Sequence, residues 1–428
     1  MTSVLIAGGG IGGLVTALSL ADLGLRVEVY EATPALKPLG VGINLLPHAV
    51  RELYELGLQE QLEQNGVLTG ELAYFNKHGQ PIWREPRGLA AGYRWPQISV
   101  HRGELQLLLL AAVQARLGRE HVHLGQRLVA LDQGPDGVRA HFVDRTGQDA
   151  GAVAERPYTV DADFLIGADG IHSRVRAQLH PHEGPPCWNH SVMWRGVTEG
   201  EPFLSGRTMI MAGHAAQKFV CYPIKQCGER VLINWVAELR LSSRQLSERE
   251  DWNKRGDLDE FLPQFEGWHF DGIDVPSMLR AAEDVYVYPM VDREPLDSWG
   301  QGRVTLLGDA AHPMYPVGSN GASQAILDAR VLTGCLRTYD GKDEIETALR
   351  AYERVRRPAT AAITLSNRGH GPELCMMLAE ERAPSGFKHV EEVISRAELE
   401  SISAKYKRVA GFSIDELNHS PSLAQLEY

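Results

Sequence analysis

The chain has 428 residues, 43% of them hydrophobic and 23% charged, with a formal net charge of -12. That balance excludes a disordered or fibrous chain, and the length predicts two or three packed layers around a large ligand rather than one ordinary core. The negative charge argues against nucleic acid and anionic lipid as primary ligands, because like charges repel.

Residues 3–7 read as a short buried strand that runs into Gly8-Gly9-Gly10-Ile11-Gly12-Gly13. Residues 14–23 continue with helical apolar spacing, Gly24 closes the helix, and residues 26–30 alternate as a second strand ending at Glu31. Strand, glycine turn, helix and strand make a βαβ unit. Within it Gly8, Gly10 and Gly13 match G-x-G-x-x-G: the first glycine turns tightly, the second admits a pyrophosphate, and the third lets helix and strand pack closely. The helix start offers free N–H groups to phosphate, and Glu31 is placed to accept from ribose hydroxyls. A carboxylate there disfavours a 2′-phosphate, so the resident dinucleotide is FAD or NAD, and this fingerprint does not choose between them.

Residues 50–58 and 104–117 are predicted helical, and residues 164–166 a further short strand. From residue 187 to 288 the character changes. Residues 191–198, 208–211, 218–224 and 230–239 read as strands without intervening helices, which predicts a mostly antiparallel sheet. Residues 303–307 return to a short apolar strand, 319–336 and 344–357 to helix, and the last forty residues to mixed helix and loop. The expected division is 1–186 as the first part of a nucleotide domain, 187–288 as a sheet domain, 289–368 as the second nucleotide part, and 369–428 as a helical and loop tail.

The five cysteines (Cys187, Cys221, Cys227, Cys335, Cys375) form no CxxC, and none stands with histidine at ligand spacing. No metal is expected, and scattered free thiols suit a reducing cytoplasm. The apolar opening lacks a basic leader, and residues 105–113 are far shorter than the roughly 20 residues of a spanning helix, so no membrane partner is expected.

Two further motifs follow strands. Gly167-Ala168-Asp169-Gly170-Ile171-His172-Ser173 is by itself no more than a turn. Leu307-Gly308-Asp309-Ala310-Ala311-His312-Pro313 leads into Pro316-Val317-Gly318-Ser319-Asn320-Gly321-Ala322, which opens a helix. A carboxylate at a strand end can hold a ribityl hydroxyl, and a glycine-rich helix start can set N–H groups beside the part of a flavin that turns negative on reduction.

These three motifs, in this order and separation, resemble the class A flavoprotein aromatic monooxygenases, the family of p-hydroxybenzoate and salicylate hydroxylases, and within it the phenazine-hydroxylase subgroup. Supporting stretches are Pro38 through Asn44, Val100 through Gln106, Met193 through Glu199, Tyr288 through Arg293, and Gly308 through Asp328. The resemblance covers roughly residues 1 to 365. It implies an α/β fold in which a Rossmann-type FAD domain is interleaved with an antiparallel substrate sheet and followed by a C-terminal helical region. FAD is implied as cofactor, NADH or NADPH as transient reductant and O2 as co-substrate, with hydroxylation of an aromatic or heteroaromatic ring through a C4a-hydroperoxyflavin. A carboxylic acid substrate, with or without decarboxylation, fits the same resemblance. It places Gly8, Gly10, Ile11, Gly12, Gly13 and Glu31 at the ADP half, Arg102 near the ribityl and phosphate region, and Asp169 near the pyrophosphate. Asp309 falls to the ribityl chain; Pro316, Gly318, Asn320, Gly321 and Ala322 face the isoalloxazine, with Gly42 on its other side. Where many members carry a Gly-x-Gly-x-Asn loop, this chain reads Gly318-Ser319-Asn320-Gly321.

The substrate is expected between this loop and the sheet. Trp194, Arg195, Met211, Tyr222, Trp235 and Tyr315 are the candidate pocket residues, Arg195 as a partner for a carboxylate. No general base is singled out, and His312 is expected to be structural. A reductase, oxidase or epoxidase of the same fold shares all three motifs and is the main rival. An NAD-dependent dehydrogenase leaves the Asp309 loop without a role, and a flavin-binding sensor has no support in the sequence. A small-molecule ligand is expected, with the chain a monomer or homodimer.

Overall fold

The computed structural model describes residues 1–38, 40–146, 156–241, 254–270 and 272–428. Leu39, within one of the stretches that carry the resemblance, lies outside them. The first strand, Ser3–Ala7, is the centre of a five-stranded parallel sheet. Its order is Val304–Leu306, Phe164–Gly167, Ser3–Ala7, Arg26–Glu31 and Val122–Leu124. Ser3–Ala7, Phe164–Gly167 and Val304–Leu306 are buried, largely apolar runs because helices cover the sheet, as a parallel sheet requires. The helices Ile11–Ala21 and Gly321–Thr338 join it in one core, with Leu14, Leu18, Ile326 and Leu332 buried together. So the strands at residues 304–306 and 164–167, far apart in sequence, return to the N-terminal βαβ unit.

The second sheet has seven strands in the order Val285–Asp292, Cys187–Gly200, Arg230–Arg240, Gln217–Cys227, Thr208–His214, Glu71–Phe75 and Pro81–Pro86. All neighbours are antiparallel except Thr208–His214 with Glu71–Phe75, which run parallel. The sheet thus draws strands from outside the expected 187–288. Two strands come from residues 71–86, which carry little unbroken apolar pattern, and the last strand runs to Asp292. One face packs on a core containing Trp194, Phe219, Trp235 and Phe261. The other presents Met209, Met211, Val220 and Tyr222 to the C-terminal segment, through Cys375, Met376 and Leu399.

Smaller differences have local causes. The helix predicted over 344–357 spans Ile345–Arg368, continuing through Pro358 because its buried face extends to Ile363 and Asn367. The helix predicted over 50–58 begins earlier, at Pro47, where proline suits a first helical turn. The tail beyond it is ordered as the helices Leu374–Arg382, Arg396–Val409 and Ile414–His419. Among the described residues, no helix is long and apolar enough to cross a membrane.

Candidate active site

A cavity of about 350 Å³ opens where the two sheets and the tail meet. Gly10, Ile11 and Gly12 form one end, above the first strand. The turn there is shaped by close backbone approach. Gly8 has φ +113°, and a Cβ on it would lie 2.3 Å from the Ala168 carbonyl oxygen; a Cβ on Gly13 would lie 2.0 Å from the Gly8 carbonyl oxygen. Both glycines are thus packing positions beneath the cavity, while Gly10 meets nothing within 4 Å. The helix begins at Gly10 without a side-chain cap, so its first N–H groups remain open toward the cavity.

The Asp309 loop forms the middle. It is held from behind by Asp328, which accepts from His312 Nε2 at 2.5 Å, Arg356 Nε at 2.6 Å and the Gly308 N–H at 3.0 Å. Burial alone would raise the Asp328 carboxyl, but His312 and Arg356 overcome it and hold it at about 2. His312 has the structural role expected of it. Asp309 itself lines the cavity, and no described group donates a hydrogen bond to its carboxylate. Asp309 is open to the cavity, yet desolvation by the surrounding walls pushes its carboxyl up, opposed by the positive fields of His312 and Arg102. The Arg102 guanidinium also lines the cavity without a hydrogen-bonded or ion-paired partner among the described residues. Pro316, Asn320, Gly321 and Ala322 continue the same wall, and the helix Gly321–Thr338 starts there without a side-chain cap.

Gly42 closes the opposite side and is pinned from three directions. Its N–H donates to Asn234 Oδ1 at 2.7 Å, and its carbonyl accepts from Tyr222 Oη and from an Arg195 guanidinium nitrogen, each at 2.9 Å. Burial raises the Tyr222 hydroxyl to about 12, against the lowering field of Arg195. Arg195, Met211 and Tyr222 therefore line the cavity as the sequence places them, with Arg195 spending one N–H on this backbone.

Several expected residues do not themselves line this cavity. Trp194 and Trp235 face away: the pleat turns Met193, Arg195, Val236 and Glu238 into the cavity, so their neighbours enter the core on the far side. There Trp194 stacks on Phe261 with ring centroids 5.0 Å apart, and Trp235 Nε1 donates to Thr198 Oγ1 at 3.0 Å. Their placement in the pocket is corrected; size and aromaticity gave no register. Tyr315 packs beside the cavity against Met193, Tyr288 and Met290. Gly318 faces the helix Arg396–Val409, where Tyr406 contacts it. Asp169 caps the helix Arg174–Leu179, accepting from the Arg174 N–H at 2.6 Å and Ser173 Oγ at 2.5 Å. Glu31 sits beside the glycine turn, accepting from the Gly9 N–H at 2.7 Å and the Thr33 N–H at 2.7 Å.

Sequence reading missed Lys218, Glu238 and Glu373, which line the cavity together. A lysine and a glutamate inside apolar strands were the available sign for the first two. Glu373, far along the chain, gave none.

An open helix start, an unpartnered carboxylate, an unpartnered guanidinium and a second open helix start on one wall are the donor and acceptor set that pyrophosphate, polyol and a flavin ring need. The residues present fit FAD. The comparisons agree with that geometry. Residues 1–366 match the FAD binding domain family. The chain is 47% identical over 373 residues to phenazine 1,6-dicarboxylic acid hydroxylase PhzS of Lysobacter antibioticus, covering 86% of this chain and 89% of that protein. It is 32% identical over 367 residues to 3-amino-4-hydroxybenzoate 2-monooxygenase of Streptomyces cremeus, covering 84% of each. In fold it is similar to a salicylate hydroxylase solved with its substrate, with a TM-score of 0.72, 23% identity and 99% of each chain covered. With cavity, fold and relatives in agreement, the chain belongs to the FAD binding domain family and is an FAD-dependent aromatic monooxygenase.

Proposed function

We propose that this enzyme hydroxylates a planar aromatic or heteroaromatic ring, of the phenazine or hydroxybenzoate kind named for its relatives, in the part of the cavity under the seven-stranded sheet. The observation that carries this reading is the continuity of the cavity. The unpartnered Asp309 and Arg102 charges and the methionine-lined wall of Met193, Met209 and Met211 border one space. Bound FAD would supply the chemistry, taking reducing equivalents from NADH or NADPH and delivering oxygen from O2 to the ring.

The protein's part is to bind, orient and exclude water. The N–H groups at Gly10 to Gly12 would receive the pyrophosphate, with Glu31 beside them for the ribose. Asp309 would accept from the ribityl chain and Arg102 would meet the phosphate and ribityl oxygens. The helix start at Asn320 to Ala322 would offer its positive end to bound flavin, which gains negative charge on reduction. Gly42, fixed by Arg195, Tyr222 and Asn234, would limit the movement of a bound ring system from the opposite side of the cavity. Met193, Met211 and Val220 give the substrate ring an apolar, adaptable wall that keeps bulk water away. The division into a nucleotide part, a sheet part and a tail follows this placement. All five cysteines are free, which supports work in a reducing, cytoplasmic setting.

The test is FAD affinity, followed by flavin fluorescence, together with NADH and NADPH oxidation in air on a panel of aromatic acids, phenols and phenazines. Asp309→Asn and Arg102→Gln should each weaken FAD by about tenfold or more, the worth of one charge-assisted hydrogen bond. Unchanged FAD affinity in both variants would remove these residues from the cofactor site. Reductant oxidation with no oxygenated product from any ring would favour the reductase or oxidase reading.

A further inference from the structure

One charged cluster interrupts the apolar wall beneath the sheet. Lys218 and Glu238 are paired in register on neighbouring strands, and Glu373 reaches them from the short turn Gly371–Glu373 after the long helix. Lys218 Nζ lies 2.7 Å from Glu238 Oε2 and 2.8 Å from Glu373 Oε2. Their side chains are 8%, 6% and 5% exposed, and all three line the cavity. Two carboxyl groups around one ammonium leave the cluster with no net positive charge, whether one or both are ionised. Burial would lower the Lys218 ammonium, but the two carboxylates keep it above its ordinary range. Burial pushes Glu238 up, aided by the field of Glu373 and opposed by Lys218.

The free acceptor in this cluster is on Glu373. Its Oε2 holds Lys218, while no hydrogen bond from the described residues reaches Oε1, on a side chain that is almost wholly buried yet borders the cavity. A buried acceptor beside a second carboxyl group, with the Lys218 ammonium already shared between them, matches a donor and opposes a further negative group. Glu373 also lies beyond residues 1–366, so the tail rather than the flavin domain supplies it.

We propose that Glu373 is a specificity-determining residue: anchored by Lys218, its free carboxylate oxygen accepts a hydrogen bond from an O–H or N–H on the substrate ring, selecting a donor-bearing ring over the same ring carrying a carboxylate there. The inference rests on reading this cavity as the aromatic substrate site. It adds a selection rule that the methionine wall lacks, since apolar contact alone discriminates weakly between isosteric substituents.

The experiment uses the FAD-loaded enzyme and three matched rings: phenazine-1-carboxylate and its 6-hydroxy and 6-carboxy derivatives. Binding is read by perturbation of the flavin absorption spectrum, in wild type, Glu373→Gln and Glu373→Asp, with circular dichroism and retained flavin reporting the fold. Wild type should bind the 6-hydroxy ring about tenfold or more tighter than the 6-carboxy ring. Glu373→Gln should cut that ratio by about tenfold, and Glu373→Asp, which keeps the charge, should keep its direction. A ratio unchanged by Glu373→Gln, or a wild type that prefers the 6-carboxy ring, overturns the selection rule and leaves the hydroxylase reading intact. If none of the three rings perturbs the flavin of wild type while FAD is bound, the aromatic site itself is misplaced and this inference falls with it.

Discussion

Replacing Asp328 by asparagine probes how the Asp309 loop is held. Asp328 is fully buried on the helix Gly321–Thr338, and its three partners are His312, Arg356 and the Gly308 N–H. The fall of its carboxyl from 3.8 to about 2 corresponds to roughly 2–3 kcal/mol at about 1.4 kcal/mol per pH unit. Because the folded value lies below the unfolded one, that stability is complete above about pH 4 and is lost as pH falls through about 2. Asparagine removes the charge and leaves Arg356 buried with a weaker partner, a class of change that costs about 3–5 kcal/mol. Arg356 keeps its bond to Gln324 Oε1 at 2.6 Å, which puts the expected loss near the lower end. Urea unfolding at pH 7, followed by tryptophan fluorescence, should show a loss of about 3 kcal/mol, and acid unfolding of the variant should lack the component between about pH 4 and pH 2. FAD affinity should fall with it, since Gly308 and Asp309 lose their anchor. A loss under about 1 kcal/mol with FAD affinity intact would refute the reasoning.

Two further substitutions separate packing from function. Trp194→Ala should cost about 3–5 kcal/mol in urea unfolding while leaving the order of preference among aromatic substrates unchanged, because Trp194 sits in the core behind the sheet. A changed order would return it to the pocket. Tyr406→Phe removes the hydroxyl that accepts from Asn320 Nδ2 at 2.7 Å and reaches Asn367 Oδ1 at 3.0 Å. With Asn320 fully buried, the variant should lose about 1–3 kcal/mol and show a shifted flavin spectrum, and an unshifted spectrum would mean that the tail does not position the flavin loop.

The parts of the fold legible in sequence were those whose pattern is local. Gly8 through Gly13 followed a strand and opened a helix within one short segment, and residues 3–7 and 26–31 appear as strands where the pattern put them. Asp309 was readable because it stands at a strand end before a proline-rich, glycine-rich helix start. The remaining features depend on pairings far apart in the chain. The strands Glu71–Phe75 and Pro81–Pro86 join a sheet built mostly over a hundred residues later. Which face of that sheet meets the ligand is set by register, and a one-residue difference separates Met193 from Trp194. Large aromatic rings drew attention to the wrong face because burial, rather than ligand contact, is what most buried tryptophans provide. Glu373 was invisible for another reason: its role exists only because Lys218 and Glu238 are brought to it from the sheet.

The measurement that bears most directly on the whole reading is turnover in isotopically labelled dioxygen. FAD-loaded enzyme, NADH or NADPH and an aromatic compound that stimulates reductant oxidation are incubated together, and the product is analysed by mass spectrometry. One labelled oxygen atom in the ring product per reductant consumed is the expected result. Stimulated oxidation with label only in water or hydrogen peroxide, across the whole panel, would contradict ring oxygenation in this cavity.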